Sequence, residues 1–310
     1  MVSTVRTRRR RRRVDGGLIR LGLLAIAVVA AACGSTGTAP VTPAPAAPGS
    51  LMISPQNDHL TAGRNRLSLV IQDHAQLPIL GAAATVEVRS DPATQGRTTP
   101  LSFVGADFSD LPIYTGLITL PHAGSWLLLV HVQLASGAHD AGQAFVTAEA
   151  VAPMGAASTQ LQVGDRMPAI AQPVVGPGVT LSSVDSGIPP DTWHDTTVAT
   201  GLNAHRPMLV YVGEPGRCLT KTCGDMIVVL QRLCTSVCTR MLFEHIEVHN
   251  PADSAAFSPA WLPFHLAQEQ PWVFLVNADG VIADAFEGPA APEQLAEAAA
   301  GTLAGKVPAV

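Results

Sequence analysis

Between residues 51 and 150, apolar and other residues alternate in short runs. Residues 67–71, 84–89, 114–120, 126–133 and 144–148 read as strands, because a period of two places alternate side chains on opposite faces. Turn residues separate them, among them Asp91-Pro92, Gly105, Gly124 and Ser136-Gly137. This punctuation predicts an all-β sandwich over 51–150. After a linker at 151–159 the pattern changes. A buried strand is expected at 208–212, a helix from Cys223 to about Val237 and a strand at 241–248. A short helix follows at roughly 260–266. Residues 272–276 and 281–286 are two further strands around Asp279-Gly280, a hairpin signal, and a last helix begins near Pro292. One more helix lies within 191–202, with Asp195 or Thr196 near its start. A β-α-β crossover implies a parallel pair, and the later hairpin adds an antiparallel partner. Residues 160–310 are thus an α/β domain with a mixed central sheet.

The N-terminus changes the picture of where this fold resides. Arg8 to Arg13 is an unbroken basic run, and an apolar segment at 21–32 leads to Cys33 and Gly34-Ser35. The apolar segment is short for a membrane span and suits the core of a signal peptide. The segment resembles a bacterial lipoprotein signal: residues 1–32 removed, and lipid attached to the Cys33 thiol. Ala30 stands where such signals more often carry Leu. A plain signal peptide or an uncleaved anchor, with Cys33 incidental, is the competing reading. Residues 33–50 are rich in Pro, Ala, Thr, Ser and Gly and read as the lipid anchor and its flexible tether. The expected location is the cell membrane, facing the extracytoplasmic side, where disulfides persist. Removing the arginines makes the chain more acidic than its formal −5, which argues against a nucleic-acid partner.

Two resemblances carry more detail. Tyr114, Leu120, Gly124, Trp126, Leu128 and Val130 fall on a hairpin pattern that resembles small immunoglobulin-like domains of exported bacterial proteins. Further on stand Pro207, Val210, Pro215, Cys218, Cys223 and Gly224. Much later come Pro271, Trp272, Phe274, Val276, Gly280, Ile282, Phe286, Glu287 and Gly288. Together these resemble the thioredoxin-like domains of exported bacterial lipoproteins. That resemblance implies thiol–disulfide exchange with thiols or disulfides of other exported proteins. Cys218 would attack and Cys223 resolve, and a helix N-terminus and Arg217 would favour the Cys218 thiolate. Pro271 would be cis, leaving the backbone of Gln270 to pair with substrate.

Other readings stay open beside it. Thioredoxins place two residues between the cysteines and this chain places four, so the pair is also consistent with a fixed disulfide in a non-catalytic envelope scaffold. Cys234 and Cys238, four apart, fit a structural staple if the helix ends between them. C-x3-C also resembles Sco-type copper chaperones, and on that alternative Cys218, Cys223 and His265 would hold copper; otherwise no cofactor is expected. His245 and Glu247 share one face of a strand and are candidate ligands or proton carriers, although a strand histidine is more often ordinary packing. His122 and His131 read as turn and solvent-face residues. A clickable fatty acid fed to expressing cells should label the wild-type chain and not Cys33→Ser; no label, or label kept by the variant, would sink lipidation.

Overall fold

Two regions of unlike architecture follow one another. The computed structural model describes residues 49–57, 59–108, 111–151, 160–218, 222–251, 253–266 and 271–306. The signal-like segment, Cys33, linker residues 152–159 and Gln270 lie outside them. Among the described residues no helix is long and apolar enough to cross a membrane.

The first region is all β. Its strands are β1 (Leu51–Pro55), β2 (Leu60–Thr61), β3 (Gly63–Gln72), β4 (Ala83–Arg89), β5 (Arg97–Phe103), β6 (Ile113–Leu120), β7 (Gly124–Gln133) and β8 (His139–Glu149). They form one sheet in the order β1-β3-β6-β5-β4-β7-β8-β2, closed by a β1–β8 pairing. The expected all-β region is present, and its strands are joined in a single sheet with a barrel-like closure rather than in two separate sheets. Two strands cause this by changing partner. Met52 of β1 pairs antiparallel with β3 and also parallel with β8, and Ser102 and Phe103 carry β5 from β4 onto β6. Alternation along a strand reports which side is buried, not which strand lies alongside. Leu67, Leu69, Val86, Ile118, Leu128 and Val130 fill the interior.

The second region is α/β. Its strands are β9 (Met208–Gly213), β10 (Leu242–Glu247), the short pair β11 (His249–Asn250) and β12 (Asp253–Phe257), β13 (Trp272–Val276) and β14 (Ile282–Glu287). Its helices are α1 (Val198–Asn203), α2 (Thr222–Val237) and α3 (Pro292–Leu303). The central sheet runs β10-β9-β13-β14. β9 and β10 are parallel and linked through α2, whereas β13 is antiparallel to both β9 and β14. The β13–β14 turn closes on Gly280, whose φ of 77° is the left-handed conformation that favours glycine, and the Asn277 carboxamide accepts from the amides of Asp279 and Val281. The helix expected at 260–266 is only a 3-10 turn, Leu262–Phe264. Pro263 removes an amide donor there, and His265 turns left-handed at φ 52°.

Both sheet faces are covered. Leu209, Tyr211, Val273 and Leu275 pack under α2 and α3. Met208, Val210, Val212, Phe274 and Val276 face Val198 of α1 and Phe264 of the 3-10 turn. The first region enters the α2–α3 core through Val104, Phe108 and Ile113, so the two regions share apolar packing. Arg66 adds an ion pair to Asp284 at 2.6 Å and lies 4.0 Å over the Phe286 ring.

Between residues 160 and 197 the chain makes an irregular excursion, with only the 3-10 turn Leu181–Ser183 as regular structure. It ends at the Thr197 cap of α1, whose side chain accepts from the Thr200 amide. Gln172 links this excursion to the sheet: its side chain accepts from the Val198 amide and donates to Glu244 at 2.9 Å. The other Glu244 carboxyl oxygen, Oε1, has no hydrogen-bond partner. Burial pushes the Glu244 carboxyl up to about 8; the Gln172 hydrogen bond opposes this and the charge of Asp195 adds to it. A folded carboxyl that holds its proton to higher pH than the unfolded one loses stability as pH rises between the two values. Glu244→Gln should therefore be near neutral at pH 4 and stabilising by on the order of 3 kcal/mol at pH 9, read from urea unfolding at both pH values. An equal effect at both would show that the carboxyl ionises normally.

Candidate metal centre

The period of two along β10 sends Phe243, His245 and Glu247 toward the α2 side of the sheet, opposite to Glu244 and Ile246. His245 is in register with Tyr211 of β9, and their rings lie 4.9 Å apart. The irregular excursion passes along the free edge of β10, where the His245 amide donates to the Trp193 carbonyl at 3.1 Å. That bond sets Asp191 and His194 beside His245. Asp185 shapes the preceding loop: its carboxylate accepts from the Gly187 amide at 2.6 Å and the Asp191 amide at 2.7 Å. Asp191 accepts in turn from the Trp193 amide at 2.8 Å. Short carboxylate side chains bonding to nearby amides are what hold such a loop without helix or strand.

Asp185, Asp191, His194 and His245 each offer one ligand atom, and these atoms all lie within 4.8 Å of one another. All four side chains are buried. His245 Nδ1 is 2.8 Å from Asp191 Oδ2 and 3.8 Å from Asp185 Oδ2. His194 Nε2 is 3.3 Å from Asp185 Oδ2 and 3.5 Å from Asp191 Oδ1. Four N/O ligands around Zn²⁺, at bond lengths near 2.1 Å, stand about 3.4 Å from one another; the His–Asp contacts here run from 2.8 to 3.8 Å and the four-atom set spreads to 4.8 Å. His245 Nδ1 and Asp191 Oδ2 make no directed hydrogen bond despite their contact.

The electrostatics agree with an acidic cage. Burial opposes the charged form of His245, yet the carboxylates of Asp185 and Asp191 outweigh it and hold the imidazole well above its ordinary value. Burial likewise works to raise Asp185, but His194 and His245 hold it below the usual carboxylate range. Glu247 borders the cluster, with Oε1 3.9 Å from His245 Nε2. Burial raises its carboxyl to about 7, against the pull of His245 and of Ser186, whose amide donates at 2.6 Å and hydroxyl at 3.1 Å.

Cys218 and Cys223 are joined as a disulfide with Cα atoms 5.9 Å apart. Cys218 is half-buried before α2, and Cys223 is buried in its first turn. The Cys223 amide donates to Cys218 Sγ at 3.4 Å. Arg217 turns toward the Glu214 carboxylate at 2.9 Å and the carbonyls of Asn250 and Pro251. His249 holds the same Glu214 at 2.8 Å. Cys234 and Cys238 form a second disulfide across the end of α2, with Cα atoms 4.8 Å apart. The Pro271 carbonyl accepts from Gly288, while the peptide bond joining it to Gln270 begins outside the described residues.

The residues of the alternative copper set lie apart from this cluster. A disulfide offers no thiolate, His265 is exposed, and the cluster includes neither cysteine nor His265. The cluster does include His245, singled out from the sequence. Asp185, Asp191 and His194 went unnoticed there, because an aperiodic stretch of Asp and His reads as loop. The available signal was Asp185, Asp191 and His194 in a cysteine-free segment with Val184 and Trp193 alongside them.

No protein-family model matches this chain, and no curated protein does. Solved structures are similar only in part. One is a thiol:disulfide interchange protein of the thioredoxin family from Chlorobium tepidum TLS, at 13% identity, covering 43% of this chain and 98% of that one, TM-score 0.30. Another is CopC from Methylosinus trichosporium OB3b, at 14% identity, covering 34% of this chain and 98% of that one, TM-score 0.23. MtrC from Shewanella baltica OS185 is similar at 12% identity over 37% of this chain and 24% of that one, TM-score 0.21. These are likenesses of outline alone.

Proposed function

We propose that this chain is a metal-binding protein in which Asp185, Asp191, His194 and His245 hold one divalent cation of the Zn²⁺ class. The observation that carries this reading is the buried set of four donor atoms, one from each residue, all within 4.8 Å of one another. Two carboxylates and two neutral imidazoles carry a charge of −2, which a divalent cation cancels. Oxygen and imidazole donors suit Zn²⁺ and disfavour Cu(I), which prefers sulfur. Three ligands come from the irregular excursion and one from β10, so the cation would staple the excursion to the sheet edge. Binding requires the His245 proton to leave, so acidification weakens it. Zn²⁺ titrated against a chromophoric chelator should fill one site with submicromolar Kd. Asp191→Asn should weaken it by at least the roughly 10–100-fold that even an outer ligand contact is worth. Micromolar or weaker wild-type binding, or an unaffected variant, would overturn the reading.

A second reading, thiol–disulfide exchange, is favoured by the Cys223 amide that donates to Cys218 Sγ at the start of α2. In the dithiol form the same amide and the helix N-terminus would hold a Cys218 thiolate, which attacks an exported protein's disulfide while Cys223 resolves. Lipid on Cys33 would keep either activity at the outer membrane face. Insulin reduction driven by a dithiol should be faster with the wild type and fall to the uncatalysed rate in Cys218→Ser; equal rates would reject exchange.

A further inference from the structure

The cysteine pair and the buried cluster are joined on two sides. Ser186 follows the Asp185 ligand, and its Oγ accepts from the Gly216 amide at 3.0 Å, two residues before Cys218. On the other side, the Tyr211 hydroxyl donates to the Cys223 carbonyl at 2.9 Å while the Tyr211 ring lies against His245. A cavity of about 170 Å³ bordered by Asp185 and Asp191 is bordered also by Pro215 and Gly224, which precede Cys218 and follow Cys223.

We infer that cation occupancy of the centre and the redox state of Cys218–Cys223 are linked, a bound divalent cation favouring the dithiol form; this rests on the metal reading above. Reduction by glutathione breaks the protein S–S bond with two electrons from two glutathione thiols, which join as glutathione disulfide. Their two protons pass to the protein sulfurs, and the one on Cys218 leaves to solvent where that cysteine persists as thiolate. The oxidised pair is neutral and the reduced pair carries this negative charge. A cation added to the neighbouring cage stabilises the charged form, in the same direction as the Cys223 amide and the α2 N-terminus. Linkage is reciprocal: whatever factor the cation applies to the thiol equilibrium, reduction applies to cation affinity.

The test equilibrates the full chain in glutathione buffers with and without Zn²⁺. Peptide mapping after alkylation follows Cys218–Cys223 separately from Cys234–Cys238. Zn²⁺ should move the equilibrium toward the dithiol about fivefold or more, with one Zn²⁺ per chain in both redox states. The reduced chain should bind Zn²⁺ tighter by the same factor. One bound Zn²⁺ with a shift under about twofold overturns the linkage and leaves the metal reading standing. No bound Zn²⁺ overturns the metal reading itself. A second Zn²⁺ taken up only on reduction means direct thiolate ligation, which also overturns the linkage. Tyr211→Phe and Ser186→Ala each keep one Zn²⁺ and should shrink the shift; a full shift in both would rule out these contacts as its route.

Discussion

A carboxylate inside a protein must be met by hydrogen bonds or opposite charge, because burial withholds the water that would otherwise solvate it. Asp185 and Asp191 present that demand at adjacent positions beneath the surface of the second region. Backbone amides of their own loop answer part of it, and His194 and His245 answer the rest. The excursion between 160 and 197 has almost no helix or strand of its own, so these contacts, with the Gln172–Glu244 bond and the Trp193–His245 backbone bond, fix its path along β10. The geometry that satisfies two buried charges is the same geometry that gathers four metal-type donors.

The disulfide and the cluster occupy neighbouring elements for a topological reason. In a β-α-β crossover the strand end, the connecting loop and the first turn of the helix lie together. Here that sets the Cys223 carbonyl on the Tyr211 hydroxyl, and the parallel partner β10 brings the His245 ring against the Tyr211 ring. The disulfide at the loop and the cluster beneath it are therefore neighbours in space. Donor chemistry separates them: sulfur is held in disulfides, and the cage is oxygen and nitrogen.

The barrel-like region is more than an appendage. Phe108 and Ile113 complete the core under α2 and α3, and Arg66 bridges to Asp284 while covering Phe286. Removing either region would expose apolar surface of the other.

Local patterns in the sequence determined most elements of the second region. β9, α2, β10 and the β13–β14 hairpin were legible because a buried strand, an amphipathic helix and an Asp-Gly turn each state their conformation within a few residues. The single sheet of the first region was not legible, because partner choice by β1 and β5 is a long-range matter. Pro263 and the left-handed His265 limited the expected 260–266 helix to one turn. His245 was visible as a strand histidine, but its meaning depended on an edge contact with Trp193 and on a loop folded by Asp185, more than fifty residues earlier. Sequence alone set which faces are apolar and where the cysteines fall; only tertiary structure decided which polar side chains would be buried together. Burial of apolar faces is encoded locally by periodicity, whereas a polar cluster exists only once distant segments have met.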